Sequence, residues 1–411
     1  MNDVLVIGGG AAGMLAAIAA RREGANVTLL ERNEKLGKKV YITGKGRCNV
    51  TNACDPDAFQ RNVVKNPRFL FSALSVLPPK ALMDLLEEMG CPVMVERGDR
   101  VFPRSERASD VTRAFENELR RLGVRVIYNA RVKNLLTQGE RCIGAELMGG
   151  RSFMADAVIV CTGGQSYVST GSSGDGWKWL EELGHTLYPP RPSLVGLMSG
   201  ADWVKELQGL ALKNVRLTLT RGKKKLYSDI GEMLFTHFGV SGPLVLSASA
   251  YAAELVPSEV TISLDLKPGL SSEQLDRRLQ RDIDESGKKM LRTLLCGLYP
   301  SRLAELMPAL CGVDGNKTAN DLTREERLRL VENGKGLVIP LAGLCSLNEA
   351  IVTRGGVSVK DINPATMESK RISGLYVAGE FLDVDALTGG FNLHIAFCTG
   401  YLAGSSAAKG N

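Results

Sequence analysis

The sequence contains few histidines and no cysteine pair at the spacing of a metal site. Its 411 residues include three histidines and nine cysteines, and no two cysteines form a C-x-x-C pair. Structural zinc sites and iron–sulfur clusters depend on such spacings, so we expect no metal. The cysteine count is odd, which is typical of reduced thiols, and we predict a cytoplasmic protein.

Long apolar runs are also missing. The stretch 4–20 carries no charge, but it contains four glycines and is ended by Arg21 and Arg22, short of the ~20 apolar residues of a transmembrane helix. Asp3 precedes it, whereas a signal peptide begins with a basic segment. We therefore predict no membrane span.

Aromatic residues are scarce, at 6% of the chain, and the formal net charge of +6 is spread along the sequence. Nucleic-acid surfaces combine clustered basic residues with aromatic ones, so we predict a small-molecule substrate and no nucleic-acid partner. Apolar residues make up 44%, which is enough for a buried core. The length is two to three times that of a typical domain and indicates more than one unit.

Glycine is abundant, and its first cluster lies between a strand and a helix. The apolar run 4–7 predicts a buried parallel strand, and Gly8-x-Gly10-x-x-Gly13 follows it directly. Gly8 permits a tight turn, Gly10 lets a pyrophosphate approach the backbone, and Gly13 lets the helix pack closely on the strand. The helix N-terminus then offers free N–H groups to the phosphates.

A second predicted strand, 27–30, ends at Glu31. A carboxylate there accepts hydrogen bonds from both hydroxyls of an adenosine ribose and repels the 2′-phosphate of NADP. Arg32 either lies over the adenine or is solvated; the sequence leaves both open. The pattern predicts a βαβ dinucleotide-binding unit.

Two further glycine corners favour FAD over NAD. Thr162-Gly163-Gly164 closes one predicted sheet strand, and Gly379-Glu380 follows another. Glu380 is placed to bind a ribityl hydroxyl. Gly389-Gly390-Phe391-Asn392-Leu393 opens a final helix whose N–H groups can face the pyrimidine edge of a flavin.

The order of these patterns predicts an α/β, Rossmann-like FAD-binding domain with a central parallel sheet, interrupted by an insert. The FAD-binding domain comprises 1–190 and 346–411. The inserted domain, 191–345, is β-rich over 191–268 and mainly helical over 269–345.

Four sequence blocks resemble one narrower family. They are 45–52 (KGRCNVTN), 170–176 (TGSSGDG), 236–243 (THFGVSGP) and 378–385 (AGEFLDVD). These blocks are similar to those of the BaiN-like NAD(P)/FAD-dependent oxidoreductases, whose FAD domain is of the glutathione reductase class. The resemblance spans nearly the whole chain. His394 is a departure, because we expect glutamine at that position in the family.

The resemblance implies the chemistry. It implies an FAD-dependent reductase of a C=C bond conjugated to a 3-oxo group, as in the 3-dehydro-bile-acid intermediates of 7-dehydroxylation. NAD(P)H would be a transient donor, and because no second G-x-G-x-x-G follows a strand, it would visit the same flavin face as the substrate. The alternatives are an oxidase of small amines such as aminoacetone and a non-catalytic FAD-containing module for tRNA or another partner.

Four side chains are the predicted catalytic candidates, each with a structural alternative. Arg47 stabilises reduced flavin or pairs with a phosphate or surface acid; Tyr167 contacts the flavin or an enone oxygen, or only packs. His237 is a general acid or bonds its own turn, and His394 lies near the flavin or packs in the helix. The predicted cofactor-binding residues are Gly8, Gly10, Ala11, Ala12, Gly13, Glu31, Arg32, Lys38, Arg47, Cys48, Asn49, Val132, Thr162, Gly163, Gly164, Gly379, Glu380, Gly390, Asn392 and Leu393.

Overall fold

The structure is a computed structural model and describes residues 2–410. The chain forms two compact units. Unit 1 comprises Met1–Ser193 and Leu347–Asn411, and unit 2 comprises Leu194–Ser346. Unit 2 begins three residues after the start of the predicted insert and ends one residue after its end.

The elements are numbered along the chain. The strands are β1 Asp3–Ile7, β2 Asn26–Leu30, β3 Thr51–Asn52, β4 Val93–Glu96, β5 Arg100–Pro103, β6 Arg125–Ile127, β7 Val132–Gln138, β8 Arg141–Leu147, β9 Ser152–Met154, β10 Ala157–Val160, β11 Leu187–Ser193, β12 Leu197–Met198, β13 Ala211–Arg221, β14 Lys224–Phe235, β15 Gly239–Ser241, β16 Val260–Asp265, β17 Leu337–Ile339, β18 Gly343–Leu344, β19 Val352–Val357 and β20 Leu375–Val377. The helices are α1 Ala11–Arg22, α2 Lys38–Ile42, α3 Pro56–Arg61, α4 Phe71–Val76, α5 Pro79–Glu88, α6 Ala108–Arg121, α7 Asp175–Glu182, α8 Asp202–Glu206, α9 Pro243–Ala252, α10 Ser272–Ser286, α11 Leu291–Leu295, α12 Ser301–Leu310, α13 Arg324–Gly336 and α14 Phe391–Lys409.

Unit 1 is built on a five-stranded parallel sheet in the order β20-β10-β1-β2-β6. Residues 4–7 of β1 are buried on both faces, as a central parallel strand requires. Because all five strands run the same way, their carboxyl ends lie at one edge, where such sheets bind ligands. The predicted Rossmann-like α/β fold with a central parallel sheet is confirmed.

The two ends of the chain meet where α14 packs on α1. A Cβ at Gly400 would lie 2.2 Å from the carbonyl oxygen of Ala12, and one at Gly404 would lie 2.1 Å from that of Ala16. Only glycine permits this approach of two helix backbones. The contact holds the N-terminal helix and the C-terminal helix together beside the sheet.

Smaller sheets complete unit 1. Strands β7, β8 and β9 form an antiparallel three-stranded sheet. A second three-stranded sheet has the order β3-β5-β4, and β11 pairs antiparallel with β19. Strand β19 is the first strand of unit 1 after the chain returns from unit 2.

Unit 2 contains a seven-stranded sheet in the order β17-β16-β13-β14-β15-β12-β18. Its helices α10 and α13 begin at complete capping boxes, at Ser271 and Thr323. The segment predicted as mainly helical ends in two short strands, β17 and β18. A run as short as Leu337–Ile339 becomes a strand only because β16, distant in sequence, offers it a pairing edge.

Within residues 2–410, no single helix combines the length and apolar character needed to cross a membrane. The bent pair Pro67–Val76 and Pro79–Glu88 satisfies those two criteria jointly. Leu70, Leu82 and Leu86 of this pair are fully buried in the core of unit 1.

Candidate functional site

The first glycine motif forms the turn between β1 and α1. Gly8 has a φ of +103°, and a Cβ there would lie 2.5 Å from the carbonyl oxygen of Cys161. A Cβ at Gly13 would lie 1.8 Å from the carbonyl oxygen of Gly8, whereas one at Gly10 would have no neighbour within 4 Å. Gly8 and Gly13 therefore serve the fold, and Gly10 leaves open space at the start of α1. No side chain caps that helix, so its first N–H groups, next to Ala11 and Ala12, face this space.

Glu31 lies immediately after β2 and is held in place by backbone groups. The Gly9 N–H donates to Oε2 at 2.7 Å, and the Asn33 N–H donates to Oε1 at 2.7 Å. The side chain is 6% exposed. This geometry fixes the carboxylate at the edge of the sheet beside the glycine turn, as a ribose-binding residue needs.

Arg32 is tied to the loop before α7. Its Nη1 donates to the carbonyl oxygen of Gly171, 3.2 Å away, and to Oγ of Ser173, 2.6 Å away, and pairs with Asp175 at 3.4 Å. The guanidinium thus links residues 170–176 to the end of β2. Arg32 is therefore not freely solvated. Val132, at the start of β7, is buried in the core.

The second glycine corner follows β10. Gly163 has a φ of +73°, and a Cβ at Gly164 would lie 2.5 Å from Oγ1 of Thr353 and 3.0 Å from Oε1 of Glu380. Oγ1 of Thr162 is buried and has no hydrogen-bond partner among residues 2–410. This corner brings β10, β19 and the end of β20 to one place at the carboxyl edge of the sheet.

Glu380 is the acceptor of a dense hydrogen-bond network. Oγ of Ser166 donates to its Oε1 at 3.0 Å, and the Thr353 N–H donates to the same oxygen at 2.8 Å. The ammonium of Lys39 lies 2.5 Å from Oε2. Gly379, just before it, has a φ of +80°. Glu31 and Glu380 therefore lie at the same edge of the sheet, after β2 and β20.

The start of α14 meets the loop that contains Asn49. A Cβ at Gly390 would lie 2.3 Å from the carbonyl oxygen of Thr51 and 2.9 Å from Oδ1 of Asn49. That Oδ1 is buried and unpartnered within the described part of the chain. No side chain caps α14, a helix of 19 residues, so its N-terminal N–H groups are also free of a side-chain acceptor.

Asn392 and Leu393 support this helix start. The Asn392 side-chain amide donates to the carbonyl oxygen of Ala386, 2.8 Å away, and accepts from the Ala386 N–H at 2.9 Å. Leu393 is half-buried and packs on the core. Both residues shape the loop before α14 from the protein side.

Arg47 forms ion pairs with two acidic side chains. Its Nη2 pairs with Glu96, and with Glu106 at 2.6 Å. The guanidinium also lies 4.2 Å from the centre of the Phe102 ring. Of the two alternatives for Arg47, the structure shows the surface ion pair, although its Nε is buried without a partner.

Cys48 is fully buried in a left-handed conformation, with a φ of 61°. Burial raises the pKa of its thiol to about 12. The side chain is therefore a neutral thiol at physiological pH, and any cofactor contact from this residue is made by its backbone.

His394 is fully buried, and both ring nitrogens have protein partners. Nε2 donates to the carbonyl oxygen of Leu77 at 3.0 Å, which leaves Nδ1 to accept from the Thr51 hydroxyl at 3.0 Å. The ring packs 4.9 Å from that of Phe59. Burial lowers the pKa of His394 to about 4, so the ring is neutral at pH 7. These contacts fit the packing alternative.

Tyr167 and His237, the other two catalytic candidates, lie in different units. Tyr167 is half-buried beside the Glu380 network, in a left-handed conformation with a φ of 54° that is uncommon for a residue other than glycine. Its ring lies 5.9 Å from the ammonium of Lys39. His237, in unit 2, is exposed in the turn between β14 and β15 and contacts the ring of Phe238 edge-on.

Sequence reasoning assigned Lys38 to the cofactor and overlooked Lys39. In the structure the Lys38 ammonium pairs with the exposed Glu34 at 2.8 Å, whereas Lys39 enters the Glu380 network. Two adjacent lysines look alike in a sequence. No local signal distinguishes them, because α2 begins at Lys38 and Glu34 lies in the bend before it, and the partner of Lys39 is distant in the sequence.

A dinucleotide fits the residues at this edge. Gly10 opens onto empty space, and the starts of α1 and α14 both lack side-chain caps. Asn49 and Thr162 each bury an oxygen atom without a partner. Buried polar atoms are rarely left unpaired, so these are positions at which a bound group supplies the missing hydrogen bonds. Among the described residues no cluster of histidine, cysteine, aspartate or glutamate has the make-up of a metal site.

Comparisons with known proteins agree with this geometry. The model of the HI0933-like protein Rossmann domain family matches residues 2–406. The chain is 33% identical to the 3-dehydro-bile acid Δ(4,6)-reductase of Clostridium scindens, with 100% of both chains covered. It is 29% identical to the ribosomal RNA dihydrouridine synthase of Haemophilus influenzae, with 99% of both covered.

Among solved structures, the fold resembles that of the 3-ketosteroid Δ1-dehydrogenase of Sterolibacterium denitrificans. The TM-score is 0.56 at 13% identity, and 100% of both chains is covered. At this identity the likeness concerns the fold alone.

Proposed function

This chain belongs to the HI0933-like Rossmann family of flavoproteins. We propose that it reduces a carbon–carbon double bond conjugated to a carbonyl group. Its cofactor is FAD. The proposed substrate class is a 3-oxo steroid with ring unsaturation, and the proposed electron donor is NADH or NADPH.

The observation that carries this proposal is the end-to-end match to a 3-dehydro-bile acid Δ(4,6)-reductase, at 33% identity over 415 aligned residues. A match that covers 100% of both chains includes the insert as well as the FAD-binding unit. Both units of this chain therefore have an aligned counterpart in the relative.

When bound, FAD would supply the chemistry of hydride transfer between a nicotinamide and the acceptor carbon. The chain's own contribution is binding and electrostatics. We propose that the start of α1 binds the pyrophosphate, that Glu31 binds the adenosine ribose, and that the start of α14 favours negative charge on the flavin's pyrimidine edge. We also propose that the buried side-chain oxygens of Asn49 and Thr162 accept hydrogen bonds from the bound FAD.

Proton delivery to the substrate needs a polar side chain that the protein does not itself engage. Tyr167 is half-buried with its ring 5.9 Å from the Lys39 ammonium, and His237 is exposed with its ring against that of Phe238. We propose these two as the catalytic candidates to test first. Arg47 and His394 rank below them because their polar atoms are engaged by Glu96, Glu106, Thr51 and Leu77.

A second candidate function is the reduction of uridine in ribosomal RNA. The supporting observation is the match to a ribosomal RNA dihydrouridine synthase over 99% of both chains. The two reactions are chemically alike, since the C5=C6 bond of uracil is also conjugated to a carbonyl. This candidate opposes the sequence-based expectation of no nucleic-acid partner.

The test begins with the holoprotein and NADH or NADPH in the absence of oxygen. We expect the flavin absorption to bleach, and we expect its return when a 3-oxo-Δ4,6 bile acid is added, with a product heavier by two hydrogen atoms. No reaction with the steroid, but formation of dihydrouridine in unmodified ribosomal RNA, would establish the second candidate instead. No bleaching, together with peroxide formed from aminoacetone and oxygen, would identify an amine oxidase and reject both.

We further propose a cytosolic location. All nine cysteines are free thiols in the structure, and eight of them are buried or half-buried. Reduced thiols of this number are typical of proteins in a reducing compartment. Fractionation of cells that express the tagged chain is the direct measurement.

A further inference from the structure

Lys39 is placed by a rigid local structure. Gly37, at the start of α2, has a φ of +64°, and a Cβ there would lie 2.6 Å from Thr112, so the segment turns sharply and closely against α6. From α2 the Lys39 ammonium reaches Oγ of Ser166 at 2.6 Å and Oε2 of Glu380 at 2.5 Å. The lysine therefore joins α2 to the loops that follow β10 and β20.

The Lys39–Glu380 pair is largely removed from solvent. The side chains of Lys39 and Glu380 are 21% and 19% exposed, and Ser166 and Thr353, which also bind Glu380, are fully buried. Withdrawing an ion pair from water costs energy that the pairing often fails to repay, so fold stability alone is a weak reason for its presence. The position of the Lys39–Glu380 pair in the fold gives a better reason for its presence.

With the dinucleotide oriented as proposed, the pair would lie on the side of its flavin. Glu31, which fits the adenosine ribose, follows β2, and the pyrophosphate turn follows β1. Glu380 follows β20, three strands from β2 in the sheet, a separation of about 14 Å at about 4.8 Å per strand. An extended dinucleotide with its adenosine at β2 therefore carries its flavin toward β10 and β20.

We propose that Lys39 and Glu380 together set the electron affinity of the bound flavin, with Lys39 favouring the reduced, negatively charged form and Glu380 limiting that effect. The inference rests on the flavin chemistry of the proposed function and needs no particular organic substrate. A unit charge about 10 Å away, at an effective dielectric constant of about 20, changes such an equilibrium by about tenfold. Both residues are positioning residues under this proposal, because they act through the flavin.

The experiment uses purified holoprotein and two readouts without substrate: the affinity of the bound flavin for sulfite and its midpoint potential in the presence of a reference dye. For Lys39→Met we expect sulfite affinity to fall about tenfold. The ratio of reduced to oxidised flavin at a fixed potential should fall by the same factor, which corresponds to a midpoint potential about 30 mV lower for two electrons. For Glu380→Gln, which keeps the acceptor oxygen and removes the charge, we expect a shift of similar size in the opposite direction. The double variant should return close to the wild type.

Lys35→Met is the matched control, because it removes an exposed lysine from the same segment. The Lys35 ammonium lies over the ring of Tyr41 rather than in the Glu380 network. Its sulfite affinity and midpoint potential should stay within twofold of the wild type. Lys39→Arg should likewise keep both values, since it keeps the charge.

Two results would overturn the proposal: unchanged values in Lys39→Met, or shifts of the same sign in Lys39→Met and Glu380→Gln. If Lys39→Met is purified without flavin, Glu380→Gln decides alone, and an unchanged or lowered sulfite affinity in that variant rejects the proposal. A purely structural role would change FAD retention and thermal stability but leave the potential of the retained flavin where it was. Failure of the steroid reaction has no bearing on these readouts.

Discussion

The contact between α1 and α14 gives the sharpest test of how the two chain ends form one site. Gly404→Ala adds a single methyl group, and its carbon would lie 2.1 Å from the carbonyl oxygen of Ala16, a backbone atom of α1. In an exposed helix the same change would stabilise the protein by about 1 kcal/mol, because glycine is a poor helix former. Helix propensity therefore predicts that Gly404→Ala raises the free energy of unfolding, whereas packing predicts that it lowers it.

Packing should prevail. To restore an ordinary contact distance the two helices must separate by roughly 1 Å, and such overpacking costs about 1–3 kcal/mol. After the gain in helix propensity of about 1 kcal/mol, we expect Gly404→Ala to destabilise unit 1 by up to about 2 kcal/mol. Because α1 begins at the pyrophosphate turn and α14 begins at Gly390, the same displacement should also weaken FAD binding.

The assay is urea unfolding of the holoprotein, followed by flavin release and by circular dichroism. Gly400→Ala, whose new carbon would lie 2.2 Å from the carbonyl oxygen of Ala12, should behave like Gly404→Ala. Ser406→Ala, at a half-buried position of the same helix, is the control and should unfold at the wild-type urea concentration or slightly above it. An unfolding midpoint for Gly404→Ala at or above that of the wild type would refute the reasoning.

Three further outcomes are expected. Glu31→Ala removes the acceptor of the Gly9 N–H and should weaken FAD binding at least about tenfold, since hydrogen bonds to a charged group contribute about 1.5–3 kcal/mol; equilibrium dialysis against FAD checks this, with the exposed Glu34→Ala expected to match the wild type. His394 has a pKa of about 4 in the folded state and about 6.5 when unfolded. The unfolded state then binds more protons between those values, so stability should fall by up to about 3 kcal/mol as pH drops from 6.5 to 4, and His394→Gln should flatten the slope of unfolding midpoint against pH. Cys296, the one exposed cysteine among the described residues, should react first with a thiol reagent in the native protein, and mass mapping that finds Cys48 modified first would contradict the burial.

The parts of the fold that were predictable are those encoded locally. The strand–glycine–helix order around Gly8 and the strand closed by Thr162-Gly163-Gly164 each carry their own signal in about ten residues, and both strands lie in the central sheet as expected. Strand β17 was missed because its identity depends on pairing with β16, more than 70 residues earlier in the chain. A three-residue apolar run has no periodicity of its own.

Side-chain roles were harder to predict because their partners are distant in sequence. Arg47 meets Glu96 and Glu106, and His394 meets Leu77, 317 residues earlier. The sequence around Arg47 and around His394 does not indicate these partners. Lys39 was missed for the same reason, since Glu380, which separates its role from that of Lys38, is 341 residues away.

The two candidate reactions require the same flavin chemistry, because a steroid dienone and a uracil ring each offer a C=C bond conjugated to a carbonyl. Under the proposed function, the edge of the sheet from Glu31 to Glu380 binds the cofactor, and this role is the same for either reaction. Under that proposal, substrate choice depends on side chains other than those that bind the cofactor. Tyr167 lies in a left-handed conformation beside the Glu380 network of unit 1, and His237 is exposed in unit 2. Backbone strain of the kind seen at Tyr167 persists where the surrounding structure enforces it, commonly at functional sites, and this places Tyr167 ahead of His237 as the residue to substitute first.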